Sequence, residues 1–562
     1  MMLRGFFLVV FLHFSAAGPV PDDLFELSVV HVNDFHARFA ETSTSSGTCS
    51  NPETCIGGFS RLFAQIHSLL ADKPDSVLLN GGDNFQGTLY YSLGKWNITQ
   101  EFLNKLPFDA TVLGNHEFDD GIDGVVPFIK NLKSPVVCAN INDDEELDIK
   151  GTYQKSVVIE RNGRKIGIIG VIYAKTNTIS STGNLVFYPE SASVNAEAER
   201  LVREEGVFTN IVLSHVGYGN DQEIAANASE KIGLIVGAHS HTFLYTGDDP
   251  PGPDTPEGTY PTIVQSRTGR NVLVVQASAY TKYLGNITIF YDSDGEVADY
   301  SGSPIFLETG LPKGKAVIYE TIDAALEPWN EIVEAEGSAV IGSSLVKLSK
   351  TGCYYSECNL GNFVTDAYVF AYSQNIVDGA WTRAPIAIIN AGGLRTDVEI
   401  GNITYGDMLT AQPFSNTVDF GRIEGRYLKE ALEQAAGSYS NARITSDLKL
   451  LQVSGIHVVY NVSRPEGDRV VDVKIRCQQC DVPDYDELDL EATYSIAVPS
   501  FLVGGGDAFT AISENIENVV TGQTDMDIFR LYLQSRSPAF AEIEGRITVL
   551  GDEEIETKGF DT

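Results

Sequence analysis

Apolar residues run through the first half of the chain in short blocks, several of which close on Asp, Asn or His. FELSVVHV (25–32), SVLLN (76–80), ATVLG (110–114), KIGIIGVI (165–172), TNIVLSHV (209–216) and IGLIVGAH (232–239) are rich in Val, Ile and Leu. Runs without alternation predict strands covered on both faces. GGFSRLFAQIHSLLAD (57–72) and NITQEFLNKL (97–106) instead space their apolar residues three and four apart, as helices do. Strands alternating with helices predict a layered α/β domain over residues 25–315. AVIYETIDAALEPWNEIVEAE predicts a linking helix over 316–336. Beyond it, APIAIIN, GIHVVYNV and TYSIAVP stand between Gly-rich turns and predict a second, α+β domain over 337–549, followed by an acidic tail over 550–562. A chain of 562 residues is too long for one core, which agrees with this division.

The first 18 residues, MMLRGFFLVVFLHFSAAG, combine one basic residue, an apolar run and small residues. They read as a secretory leader removed near Ala17. No later stretch is apolar enough to span a membrane, and the acidic end LGDEEIETKGFDT lacks the apolar tail of a lipid-anchor signal. The expectation is a secreted, extracellular protein with no membrane anchor. Six of the seven cysteines fall into close pairs, Cys49 with Cys55, Cys353 with Cys358 and Cys477 with Cys480. Disulfides suit a secreted chain, and a zinc reading of CQQC lacks a second ligand pair nearby. Cys138 is left over as a small buried residue. Asn97, Asn227, Asn286, Asn402 and Asn461 stand in glycosylation sequons. The formal net charge of −37 excludes a protein that coats nucleic-acid polymers. It also sets a problem, because an anionic substrate would need local cations to overcome the repulsion, and bound metals would supply them.

Metal-ligating side chains gather where the apolar blocks stop. Asp34 and His36 follow the first block, Asp83 the second, and Asn115 with His116 the third. His215 closes IVLSH, and His239 and His241 close LIVGAHSH, so five of the nine histidines lie at such ends. Ligands of open α/β sheets collect at the carboxyl ends of strands, so these residues can converge in space. Mixed Asp, Asn and His donors suit borderline divalent cations better than calcium, which prefers oxygen cages. Glycines ahead of Asp83, Asn115 and His239 allow the tight turns that would expose them. For a lone histidine the commoner fate is a hydrogen-bonded core position, and only the whole set argues for metal.

The motifs NDFHARF, GGDNFQGT, LGNHEFDDG, SHVGYG and VGAHSHTFLYTG, in that order, resemble the calcineurin-like metallophosphoesterases. More closely they resemble the 5′-nucleotidase family, which includes soluble salivary apyrases and animal ecto-5′-nucleotidases. The resemblance covers residues 27–549. It implies two divalent metal ions, zinc foremost, with manganese, calcium or magnesium as alternatives. One would be held by Asp34, His36, Asp83 and His241, the other by Asp83, Asn115, His215 and His239. Many relatives carry Asn or Gln in place of His241. His116 and Asp119 match the family's catalytic pair: His116 would stabilise charge on the phosphoryl oxygens and Asp119 would fix its tautomer. A helix-capping role for Asp119 is the alternative, while Glu117 and Asp120 are read as structural.

In the second domain, IINAGGLRTD matches the phosphate- and nucleoside-contacting loop and carries over Asn390 and Arg395. AQPFSNT offers Phe414, and SFLVGGGDAF offers Phe501 and Asp507, two rings to stack on a base and a carboxylate for the ribose. On sequence alone both phenylalanines would more often be core residues. In CYYSECNLGN, Tyr354 stands where relatives commonly place an arginine, so Arg395 carries more of the phosphate binding. The implied activity is removal of terminal phosphates from extracellular ATP and ADP, with suppression of platelet aggregation as its consequence in host tissue. Conversion of AMP to adenosine is the alternative, and a catalytically silent nucleotide-binding protein a third reading.

Overall fold

The structure, a computed structural model, describes residues 24–551 apart from 45–48, 50–52, 179, 230, 310–315, 375–379, 415, 438–449 and 521. The leader and the end of the acidic tail lie outside the described residues. In the first domain two sheets stack face to face. Across one, the order is Val297–Gly302, Tyr283–Tyr291, Phe25–Val32, Val77–Asn80, Ala110–Val112 and Val136–Val137, with Ile305–Phe306 added against Tyr283–Tyr291. Across the other it is Thr262–Gln265, Asn271–Val275, Ile232–Val236, Thr209–His215, Arg164–Ile172 and Ser156–Arg161.

The unbroken apolar runs have a direct explanation in this stacking. Leu27, Val29, Val77, Leu79, Ala110 and Val112 meet Ile166, Ile168, Ile211, Leu213, Leu234 and Val236 between the sheets. The alternate residues face outward under helices. Val30, Val32 and Leu78 pack against Phe59, Leu62 and Ile66 of the helix Phe59–Asp72. Ile169, Val171, Val212 and Ile235 pack against Val194 and Ala198 on one neighbouring helix and Ile224 and Ala225 on another. Both faces are covered, so alternation is lost. Phe25–Val32, Val77–Asn80 and Ala110–Val112 run parallel, as do Thr209–His215 and Ile232–Val236, and the residues singled out above lie at the carboxyl ends of these strands.

The helix read from NITQEFLNKL is preceded by a further helical stretch from Leu89, and Lys95, at φ 49°, marks the kink between the two. The helix Ala316–Gly337 buries Ile322 and Leu326 in the first domain, and its Val333 also touches the core of the second. The second domain is built on a five-stranded sheet, in order Leu451–Ser454, Ile386–Asn390, Thr493–Pro499, Val418–Glu424 and Glu517–Val520. The helix Asn359–Ser373 covers one face and Gly425–Ala436 the other. A four-stranded sheet packs beyond it. All three cysteine pairs are disulfide-bonded, and Cys138 is free and buried. Asn97, Asn227 and Asn402 are exposed; Asn286 and Asn461 are half-buried.

Candidate metal centre and nucleotide cleft

Five of the residues at the strand ends hold a backbone that L-residues avoid: Asp34, His36, Asp83, His239 and His241 all have φ between 44° and 77°. Such conformations cost about 1–3 kcal/mol each and persist where the surroundings impose them. Here they turn each side chain back over the edge of the sandwich. Gly82, at φ 84°, makes the turn before Asp83. Gly114 is needed for space rather than for its backbone angle, since a Cβ there would collide with the Asp83 carboxylate.

The donor atoms fall into two groups that share a member. Asp34, His36, Asp83 and His241 form one and Asp83, His215 and His239 the other, with the ligand atoms of each group within 4.8 Å of one another. His36 Nε2 lies 3.1 Å from His241 Nε2 and 3.7 Å from Asp83 Oδ2. His241 Nε2 lies 3.6 Å from Asp34 Oδ1, and His215 Nε2 lies 3.1 Å from Asp83 Oδ2. The far ring nitrogens are held from behind: His36 Nδ1 donates to Phe85 O at 3.2 Å and His215 Nδ1 to Gly81 O at 2.7 Å. Such second bonds fix the tautomer that presents the Nε2 lone pair to a metal.

The fit to cations shows in what the protein leaves unsatisfied. His215 Nε2 and Asn115 Oδ1 are buried with no hydrogen-bond partner, so the 3.1 Å approach of His215 to Asp83 is an unaligned ionic contact. Asp34 and Asp83 are almost wholly shielded from solvent. Burial, reinforced by the charge of Asp83, pushes the Asp34 carboxyl up to about 8. Burial opposes charge on His215 as well, but the Asp83 carboxylate overrides it and raises the imidazole to about 10. Without metal, a proton on His215 must balance Asp83, and a divalent cation between them would do so better.

Behind the donors, Glu117 acts as a brace. Its carboxylate accepts from Asp83 N at 2.9 Å, Asn84 N at 2.7 Å and Gly114 N at 2.6 Å, which binds two ligand-bearing turns together. Asp120 accepts from Tyr91 Oη at 2.7 Å and Lys95 Nζ at 3.1 Å, away from the cluster. His116 Nδ1 meets Asp119 Oδ2 at 2.6 Å, and Ser180 Oγ donates to Asp119 Oδ1 at 2.9 Å. Burial works against charge on His116, yet Asp119 and then Asp83 raise its pKa above the ordinary value.

The second domain closes against this edge. The ring of Phe414 stacks on His116 with centroids 5.7 Å apart, and the Arg395 guanidinium lies 5.8 Å from the Phe414 centroid. Gln86 Nε2 donates to Pro413 O at 2.8 Å across the interface. Asn390 Nδ2 donates to Asp507 Oδ2 at 2.7 Å, and Phe501 packs over Gly506. Sequence reasoning missed Gln86, Ser180, Tyr280 and the buried Arg38. Tyr280 lies 5.3 Å from His36 and 5.0 Å from His241 by ring centroids, with Arg38 Cζ 4.6 Å above its ring. Arg38 stood inside a motif, but an arginine's default place is the surface; Tyr280 carried no signal.

Two groups of donor atoms that share one carboxylate could hold two cations, an arrangement used by hydrolases that act on phosphate esters. Comparison with known proteins agrees. The family profile of the calcineurin-like phosphoesterases matches residues 27–243, and that of the 5′-nucleotidase C-terminal domain matches residues 340–514. An apyrase of Tabanus yao is 45% identical over 95% of this chain and 96% of its own. A 5′-nucleotidase of Homo sapiens is 35% identical over 93% and 90%. The crystal structure of a 5′-nucleotidase precursor from Thermus thermophilus superposes with a TM-score of 0.83 at 32% identity, covering 94% of this chain and 99% of that one. The chain belongs to the 5′-nucleotidase family of calcineurin-like phosphoesterases, and it is a metal-dependent nucleotide phosphohydrolase.

Proposed function

We propose that the protein is a secreted apyrase that removes terminal phosphates from extracellular ATP and ADP, and that in a host tissue this counters platelet aggregation. The observation that carries the reading is the 45% identity to an apyrase over nearly the whole of both chains, against 35% to a human 5′-nucleotidase. Conversion of AMP to adenosine is the second reading, favoured by the same family's nucleotidases and by the 0.83 TM-score to one of them. Secretion is supported by the apolar N-terminal run and by three disulfides. Among the described residues, no helix is long and apolar enough to cross a membrane.

Asp34, His36, Asp83 and His241 would hold one divalent cation and Asp83, Asn115, His215 and His239 the other. Imidazole, amide and carboxylate donors together favour zinc, with manganese next. Such a pair, once bound, activates water and neutralises phosphate charge. The remaining steps belong to the chain's own groups. His116 donates to the phosphoryl oxygens as negative charge develops on them, while Asp119 holds the opposite ring nitrogen. Asn390 and Arg395 bind phosphate, and Phe414 and Phe501 stack on the base, each stack contributing about 1–3 kcal/mol. Asp507 accepts from the ribose hydroxyls. Because base and metals are held by different domains, turnover requires closure about the helix Ala316–Gly337.

The test is phosphate release from ATP, ADP and AMP separately, with and without a chelator. Release from ATP and ADP that stops at AMP establishes the apyrase. Release from AMP as well, or alone, makes the protein a 5′-nucleotidase, and silence on all three with metal bound refutes both and leaves a catalytically silent nucleotide-binding protein.

A further inference from the structure

Each group of candidate ligand atoms draws on both sheets of the first domain. Asp34, His36 and Asp83 follow strands of one sheet, and His215, His239 and His241 follow strands of the other. Between the sheets the contacts are apolar. Such contacts are non-directional and set no exact offset of one sheet edge against the other. A metal site tolerates errors of only about 0.2 Å in its ligand distances. Directional bonds must therefore fix this edge, and Asn33, which stands in neither ligand set, makes two of them.

Asn33 immediately precedes Asp34 and is buried. Its Nδ2 donates to the carbonyl of Gly237, two residues ahead of His239, and its Oδ1 accepts from Ala277 N at 3.2 Å. One end of the amide faces a carbonyl and the other a backbone N–H, so its orientation is determined. Oδ1 also accepts from His31 Nδ1 at 2.8 Å, and His31 Nε2 accepts from Tyr260 Oη at 3.0 Å. The donors thus run in one direction, from Tyr260 through His31 and Asn33 to Gly237, and each bond polarises the next. Burial lowers the His31 pKa to about 4, which keeps the ring neutral with its single proton on Nδ1. Gly285, paired with His31 across the neighbouring strand, leaves room for the ring: a Cβ there would run into the imidazole.

Both anchors of the amide lead to ligands. Gly237 opens the turn that carries His239 and His241. Gln276, next to Ala277, accepts through Oε1 from Ser240 Oγ at 3.0 Å and from Thr242 N at 2.8 Å, the residues on either side of His241. On the near side, Asp34 Oδ1 accepts from His239 N at 3.0 Å and the Asp34 carbonyl from Tyr280 N at 2.9 Å. The geometry points to Asn33, oriented by His31, as a positioning residue that sets the distance between the ligands of the two sheets, and with it the affinity for a pair of cations. The inference rests on the reading that two divalent cations are held here.

The probe is Mn2+, followed by calorimetry for affinity and by electron paramagnetic resonance for the exchange coupling of two ions bridged by one carboxylate. The wild type is compared with Asn33→Ala, His31→Leu and His31→Asn. Leucine and asparagine have nearly the same shape and both lose the bond to Tyr260, but only asparagine keeps a donor where Nδ1 stood. Asn33→Ala is expected to bind Mn2+ about 10- to 100-fold more weakly and to lose the coupled spectrum at a concentration that saturates the wild type. His31→Leu should bind about tenfold more weakly than His31→Asn, which should keep the coupled spectrum. Affinity and coupling unchanged in Asn33→Ala, or equal in the two His31 variants, overturn the proposal. If Asn33→Ala does not fold, the His31 pair decides. If the wild type binds a single Mn2+, the two-cation reading has failed, and the affinity for that one ion across the same variants decides the role of Asn33 separately.

Discussion

Replacing Asp119 by Asn removes a charge beside His116 and leaves the shape nearly intact. The two groups are 2.6 Å apart through Nδ1 and Oδ2, and Ser180 holds the other carboxylate oxygen at 2.9 Å. Burial disfavours a charged imidazole there, and Asp119 is the first of the groups that overcome this. A hydrogen bond to a charged group contributes about 1.5–3 kcal/mol and a neutral one about 0.5–1.5 kcal/mol, so the exchange forfeits about 1–2 kcal/mol. If that energy is expressed in the transition state, kcat falls about 5- to 30-fold. The assay is steady-state phosphate release, with metal content measured on the same preparations. Asp119 belongs to neither group of ligand atoms, so two metals should remain bound, and KM should move less than about threefold because the nucleoside is held elsewhere. His116→Ala, which removes the ring, should cost about 100- to 1000-fold. An unchanged kcat in Asp119→Asn with both metals present would refute the pairing; a loss of activity that tracks loss of metal would place Asp119 in the metal site instead.

Asp83 belongs to both groups of ligand atoms, so Asp83→Ala should reduce bound metal to one ion or fewer and lower turnover by at least about 100-fold; two metals per chain by mass spectrometry would contradict it. Tyr354→Arg supplies a bidentate phosphate donor beside the loop of Asn390 and Arg395, and should lower KM for AMP about 3- to 10-fold; an unchanged KM counts against the proposed place of phosphate in this cleft. Burial raises the Asp525 carboxyl to about 7, where it accepts from Met526 N at 2.7 Å and Asn416 N at 3.2 Å beside the Phe414 loop. The folded chain thus binds that proton more tightly than the unfolded one. The stabilisation is complete below about pH 4 and is lost as pH rises through about 7. Asp525→Asn should flatten the fall in melting temperature between about pH 4 and 7, and parallel slopes in the two proteins would sink the argument.

The strands of the first domain were legible because both of their faces are buried: a run such as FELSVVHV needs no partner sequence to declare itself, and the observed strand is Phe25–Val32. The ends of those runs were legible for a related reason, since Asp, Asn and His recur together where one apolar block after another stops, and only the whole set argues for metal. Pairing was not legible. Phe25–Val32 lies between Tyr283–Tyr291 and Val77–Asn80, one antiparallel neighbour from far along the chain and one parallel neighbour. Register of that kind is decided by packing across the whole sandwich, not by local pattern.

Sequence order also hid which residues brace the site and which side chains share its walls. Glu117 looks like one more acidic residue in GNHEFDD until its carboxylate is seen gathering the N–H groups of Asp83, Asn84 and Gly114. Gln86 and Pro413 are 327 residues apart and meet only because the domains close. By itself the chain determined the kind of chemistry, because donor type and strand-end position are local properties. The tertiary structure alone decided that five residues turn through a left-handed backbone, that Glu117 ties two turns together, and that Phe414 stacks on His116 of the metal domain. Those are relations between distant segments, and they are settled only when two buried sheets and a second domain are packed around them.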